Sequence, residues 1–163
     1  MPSTYTPIQT TTLGSAAATI TFSSIAGIYT DLILVSSFKR TTTNSARFRF
    51  NSDSGTNYSD TAVYGNGTTA SSQRSTSGTG GFLFDYFSSS TTNFILSTLH
   101  IMNYSNTTTF KTSIERSNDA AQGTAAIVTL WRSTSAITSI TLDANAGNYD
   151  VGSTFTLYGI ASA

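Results

Sequence analysis

The chain has no cysteine, which excludes disulfide bridges, thiolate metal sites and cysteine nucleophiles together. Charge is scarce as well: Asp, Glu, Lys and Arg make up 10% of 163 residues, the formal net charge is zero, and only Lys39 and Lys111 are lysines. A surface that neutralises a phosphate backbone needs clustered basic side chains, so nucleic acid is not expected as a partner. No run approaches the roughly 18 consecutive apolar residues of a membrane helix, and no membrane partner is expected. The opening MPSTYTPIQTTT lacks the basic and apolar regions of a secretory signal, so a protein made and used without signal-directed export is expected. A near-neutral surface does little to keep copies apart and favours self-association.

Against these absences stand 57 serines and threonines, 10 Phe and 8 Tyr. A disordered Ser/Thr tract would be poor in aromatic and β-branched residues, whereas here apolar residues recur on alternate positions. A chain of this length is about one domain and can bury most of its apolar surface. The pattern predicts an all-β protein: a single-domain two-sheet β-sandwich, jelly-roll-like, with about ten strands over residues 13–163. Residues 1–12, polar and β-prone, are expected to form an arm that reaches a neighbouring subunit.

Residues 17–22 place Ala18, Ile20 and Phe22 on one face, and 31–35 are apolar on both faces, as in a central strand. In 47–50 the rings of Phe48 and Phe50 point in while Arg47 and Arg49 share the other face. Residues 93–104 read as a strand covered on both faces. The more polar 109–116 reads as an edge strand protected by charge. Further strands are expected at 82–87, 124–132, 137–142 and 153–160. Residues 65–81, almost wholly Gly, Ser and Thr, are predicted to form a long mobile loop that orders only against a neighbour.

Catalytic chemistry finds little footing. A serine nucleophile needs a base and an orienting acid, and the sole histidine, His100, sits mid-strand beside Phe94, Leu96 and Met102, the setting of a satisfied, partly buried imidazole. Seven Asp and the single Glu115 give no carboxylate pair across a cleft; Asp53 and Asp60 lie in turn-like sequence, where Asp bonds its own backbone. Asn51, Asp53 and Asn57 around Gly55 are only superficially like a calcium loop, since the glycine falls one position early and the terminal bidentate Glu is missing. The glycines of 65–67 and 78–81 lack the following lysine and the helix of a phosphate cradle. No catalytic residue, cofactor or metal site is assigned, and no enzyme is expected. Trp131 fills the core or anchors an interface. Candidate partner contacts are Tyr5, Arg47, Arg49 and Arg132; for Arg47 and Arg49, a solvated face and an inter-subunit pair with aspartates both fit.

Several blocks carry a family resemblance: Tyr5-Thr6-Pro7-Ile8 through Ser15, Ile20-Thr21-Phe22-Ser23-Ser24-Ile25, Tyr29-Thr30-Asp31-Leu32-Ile33-Leu34, Arg47-Phe48-Arg49-Phe50-Asn51 and Gly55-Thr56-Asn57-Tyr58-Ser59. The closing Leu130-Trp131-Arg132-Ser133 and Gly152-Ser153 through Ile160 complete them. In this order they resemble a widespread group of tailed-bacteriophage virion structural proteins, over nearly the whole chain except 65–93. The resemblance implies a β-sandwich or jelly-roll module of the virion, often trimeric, and brings no catalytic residue. It implies a capsid decoration, or cement, protein that binds the major capsid protein on the capsid exterior and is produced in the host cytoplasm. The alternative is a tail or head fibre knob acting as a receptor- or carbohydrate-binding adhesin, for which Tyr58, Tyr64 and Tyr86 form the stacking platform.

Overall fold

A computed structural model describes residues 4–84 and 91–161. The described residues form twelve strands and no helix: β1 Tyr5–Thr12, β2 Thr19–Phe22, β3 Asp31–Phe38, β4 Ala46–Phe50, β5 Tyr58–Gly65, β6 Ala70–Gly78, β7 Gly81–Phe84, β8 Ile95–Met102, β9 Lys111–Asp119, β10 Gly123–Trp131, β11 Ile140–Asp143 and β12 Thr154–Ile160. Eight make one sheet, in the order β1-β12-β3-β8-β9-β10-β5-β6, and four make the other, β2-β11-β4-β7. The molecule is therefore the all-β, single-domain two-sheet sandwich that the alternation predicts, and every strand pair in it is antiparallel.

Alternation explains the layering. In β4, Ala46, Phe48 and Phe50 are buried while Arg47 and Arg49 point outward. Strand β3 buries Leu32, Leu34, Ser36 and Phe38, and β12 buries Phe155 and Leu157 opposite them. Aromatic rings fill the space between the sheets at both ends. Phe38 stacks on Phe155 and meets Tyr149 edge-on at 5.4 Å between centroids, and Phe50 meets Trp131 edge-on at 5.5 Å. Trp131 belongs to the core.

Four expectations change. Residues 65–81 are not a loop: Ala70–Gly78 is β6, an edge strand paired along β5, because backbone pairing to a neighbour orders a segment that has no apolar anchor. Strand β9 is not an edge; it lies between β8 and β10 and turns Lys111, Ser113, Glu115, Ser117 and Asp119 inward, so its polar residues are buried. Strand β8 is covered on one face only, with Leu96 and Met102 exposed on the other. Tyr5–Thr12, expected within an arm, is edge strand β1, hydrogen-bonded to β12 of its own chain.

Candidate functional site

Strands with one face in the core owe their outward positions to solvent, and those positions on the eight-stranded sheet are unexpectedly aliphatic. Cross-strand register lines up Tyr158, Ile33, His100, Ile114, Val128, Thr61 and Arg74 in one row. The next row holds Thr156, Val35, Thr98, Arg116, Ala126, Val63 and Ser72. Leu96 and Met102 flank these rows on β8. The exposures are large: Val63 61%, Leu96 52%, Val128 45% and Val35 44%. Around them lie hydroxyls, alanine and very few charges. At 4.8 Å per strand and 3.3 Å per residue, the whole face measures roughly 34 by 26 Å, about 900 Å².

Three charged features stand in this face: the His100–Asp31 pair, Arg116, and Arg74 at its β6 end. His100 Nε2 lies 2.9 Å from Asp31 Oδ2, and Asp31 Oδ1 accepts the Asn103 backbone N–H at 2.7 Å, so both side chains are held by their own chain. Arg116 is exposed in the second row between Thr98 and Ala126. It borders a depression of about 800 Å³, lined also by Val63, Gly65, Ala70, Ser72 and Ala126. Small residues there leave room for a partner's side chain, beside a guanidinium that favours a carboxylate.

The contact residues expected from sequence fall elsewhere. Arg49 Nη1 bonds Asp143 Oδ2 at 2.6 Å, an ion pair within one chain, and its Nε donates to the Thr79 carbonyl at 2.9 Å. Desolvation works against the Asp143 carboxylate, yet bonds from the Asn145 N–H and Arg49, with the charges of Arg49 and Arg47, hold its pKa below the usual range. Arg47 lies 5.2 Å over the Phe82 ring. Arg132 ties β10 to β5 and β6, donating to Ser59 Oγ at 2.9 Å and to the Thr76 carbonyl at 2.8 Å. Tyr5 is exposed and meets Tyr158 edge-on at 6.3 Å.

Of the proposed tyrosine platform, Tyr58 is fully buried, stacked on Trp131 at 6.3 Å, with its hydroxyl accepting the Phe50 N–H at 2.9 Å. Burial pushes its phenol well above the ordinary range. Tyr64 is half-buried and packs with Phe82 against a small cluster of Ala62, Ala125 and Ile127. Tyr86 lies outside the described residues. A platform that needs Tyr58 at the surface is not available in this fold.

The turn around Asp53 is closed by its own donors. Asp53 Oδ1 accepts the Gly55 N–H at 2.8 Å, while Oδ2 accepts Asn57 Nδ2 at 2.9 Å and Trp131 Nε1 at 2.7 Å. Desolvation would raise this carboxyl, but those three bonds outweigh it and leave the pKa lowered. The tight turn expected here thus also anchors the indole.

Inside the sandwich, β9 carries a feature that sequence reasoning missed. Glu115 is fully buried; Ser97 Oγ lies 2.7 Å from its Oε1, and Ser117 Oγ lies 3.2 Å from its Oε2. Desolvation drives its pKa well above the ordinary value. Ser97 Oγ is also 3.2 Å from the Leu83 carbonyl, and one hydroxyl proton serves one acceptor. A neutral Glu115 resolves this: its O–H donates to Ser97 Oγ, which donates on to Leu83. The signal was present as the only glutamate of the chain, in phase with Lys111, Ser113 and Ser117.

Among the described residues, no group of three or more His, Asp or Glu side chains is placed to hold a metal ion, and no helix is long and apolar enough to cross a membrane. No family model matches the chain, and no curated protein matches it. Among solved structures it is similar to exo-inulinase from Aspergillus awamori, with a TM-score of 0.46 and 12% identity, over 96% of this chain and 29% of that one. At that level the likeness carries neither fold nor activity to this chain.

Proposed function

We propose that this chain is a phage virion structural protein of the capsid decoration type, a non-enzymatic subunit that binds the outside of the shell of major capsid protein and stiffens it. The observation that supports this reading is the uncovered aliphatic face of the eight-stranded sheet. Monomeric proteins rarely expose a contiguous apolar patch beyond a few hundred Å² without using it. The exposed Val35, Val63, Leu96, Met102 and Val128 lie within a mixed aliphatic and hydroxyl sheet face of about 900 Å² in all, room enough for the roughly 800 Å² that each partner buries in a standard interface. Arg116 sets the partner's chemistry: an apolar surface bearing a carboxylate. The sequence blocks that resemble phage virion proteins supply the setting, in which symmetry multiplies a modest contact across the shell. A trimer is the assembly this reading expects. The adhesin alternative loses Tyr58 to the core and has no comparable observation in its favour.

Shells assembled from major capsid protein without this chain provide the test. Mixed with the purified protein and run on a density gradient, they should carry it at saturating, symmetric stoichiometry. Replacing Leu96 and Val128 by Asp should weaken binding at least tenfold while leaving the melting temperature nearly unchanged, since both side chains are exposed. Naked shells after mixing with the wild type, or binding indifferent to the paired substitution, would count against the proposal.

A further inference from the structure

We infer that the open edge of β6 accepts the β1 edge of a second copy, so that the eight-stranded sheet continues from one molecule into the next. Strand β6 ends the sheet, and it is nine residues long, without proline and with Arg74 as its sole charge. Most of its side chains are exposed, unlike those of β5 or β10, so neither layer of the sandwich covers it. Strands in such a position normally carry charges, a proline or a strong bulge that block further pairing. The irregularity of β6 against β5 is confined to the residues between Ser75 and Gly78, where Arg132 takes the Thr76 carbonyl, while no hydrogen bond among the described residues engages the outer edge from Ala70 to Ser75.

Topology selects the occupant. The eight strands alternate in direction from β1 to β6, so the two edges run oppositely. A second copy added head to tail therefore presents β1 antiparallel to β6, the more stable pairing. Strand β1 carries no charge; its Pro7 and the irregularity between Pro7 and Gln9 leave Gln9 to Thr12 as the regular part. A two-fold β6–β6 pair is worse. Arg74 is the midpoint of Ala70–Gly78, so full overlap sets it against its own copy, and sliding the register to avoid this sacrifices paired residues. The molecule already joins hydroxyl-rich strands in this manner, with Thr10 and Thr12 of β1 bonded to Thr156 and Thr154 of β12 at 3.1 and 3.2 Å. A head-to-tail contact closes into a ring or grows into a fibre, according to the rotation between copies. Ser72 also lines the depression beside Arg116, whereas Gln9 lies outside the outer rows, so Gln9→Lys is the variant that separates self-association from shell binding.

Hydrogen–deuterium exchange of the full chain at low and high concentration, alongside light scattering, tests the assignment. Expected is concentration-dependent slowing in 70–75 and 9–12 together, in step with a cyclic oligomer. Ser72→Lys should shift the protein at least tenfold toward monomer without lowering its melting temperature, and so should Gln9→Lys. Mixing Ser72→Lys with Gln9→Glu should restore hetero-assembly. Protection of 70–75 without 9–12 would establish the two-fold pair instead, and protection confined to 31–37 and 95–102 would move the contact to the sheet face. A protein that stays monomeric at its highest soluble concentration, or an oligomer untouched by both lysine variants, would equally overturn the inference.

Discussion

A carboxyl buried among hydroxyls, with no basic side chain bonded to it, is stable only while it keeps its proton. Glu115 is in that position, and its pH linkage has a definite sign. The folded pKa lies above the unfolded value of about 4.3, so the folded state holds the extra proton between the two. Its contribution is therefore complete below that value and is lost as pH rises through the folded pKa. Stability of the wild type should fall by about 1 kcal/mol per pH unit in that window, relative to Glu115→Gln, whose amide does not ionise. Urea midpoints of the two proteins from pH 4 to 8 should converge at the acid end and separate upward; parallel curves would show that Glu115 does not titrate in this window. Asp53 has the opposite sign, because hydrogen bonds lower its pKa and its contribution is lost as pH falls. Asp53→Ala strands the indole N–H of Trp131 and should cost about 1–3 kcal/mol. Asp53→Asn keeps an acceptor and should cost less, which thermal melts will rank.

At the scale of elements, strands with a clean alternation were legible and strands without apolar residues were not. Arg47 to Phe50 shows its inward rings in four letters, and β3, β8, β10 and β12 follow from the same period. Strand β6 escapes such reading because its order comes from β5, through backbone bonds that any sequence can make. Strand β9 escapes for the opposite reason: its inward polar residues imitate a solvated face, and only the register with β8 and β10 shows that they are enclosed. The candidate site was hardly legible at all. Val35 and Leu96 both looked like core, and that the second sheet covers just one side of them is a property of the assembled sandwich. Close approach of a ring to the neighbouring strand of its own sheet is equally invisible in sequence. A Cβ on Gly81 would stand 2.3 Å from the Phe48 ring, so Gly81→Ala forces β7 or the ring to move. We expect a loss of about 1–3 kcal/mol, seen as a lower denaturant midpoint with unchanged slope; an unchanged midpoint would mean that Phe48 repacks freely.

The whole molecule is neutral, and its half-buried charges are largely engaged within the chain, Lys39 with Asp150, Arg49 with Asp143 and Asp31 with His100, which leaves Arg74 and Arg116 as the exposed charged side chains among the described residues. Long-range attraction therefore contributes little to whatever it binds, and apolar burial with local hydrogen bonding must supply the affinity. Raising the salt concentration tests this directly. At 1 M salt the screening length falls to about 3 Å, which removes electrostatic steering but leaves the burial of Val35, Leu96, Val63 and Val128 untouched. Shell binding should therefore change by no more than about twofold to threefold between low salt and 1 M sodium chloride, the residual change belonging to Arg116 and Arg74 and vanishing when both are replaced by Gln. Association rates should be equally flat, in the range of unsteered encounters near 10⁵–10⁶ M⁻¹s⁻¹. A loss of tenfold or more across that range would mean that the contact is made by charge, and would direct attention from the aliphatic rows to the arginines of the smaller sheet.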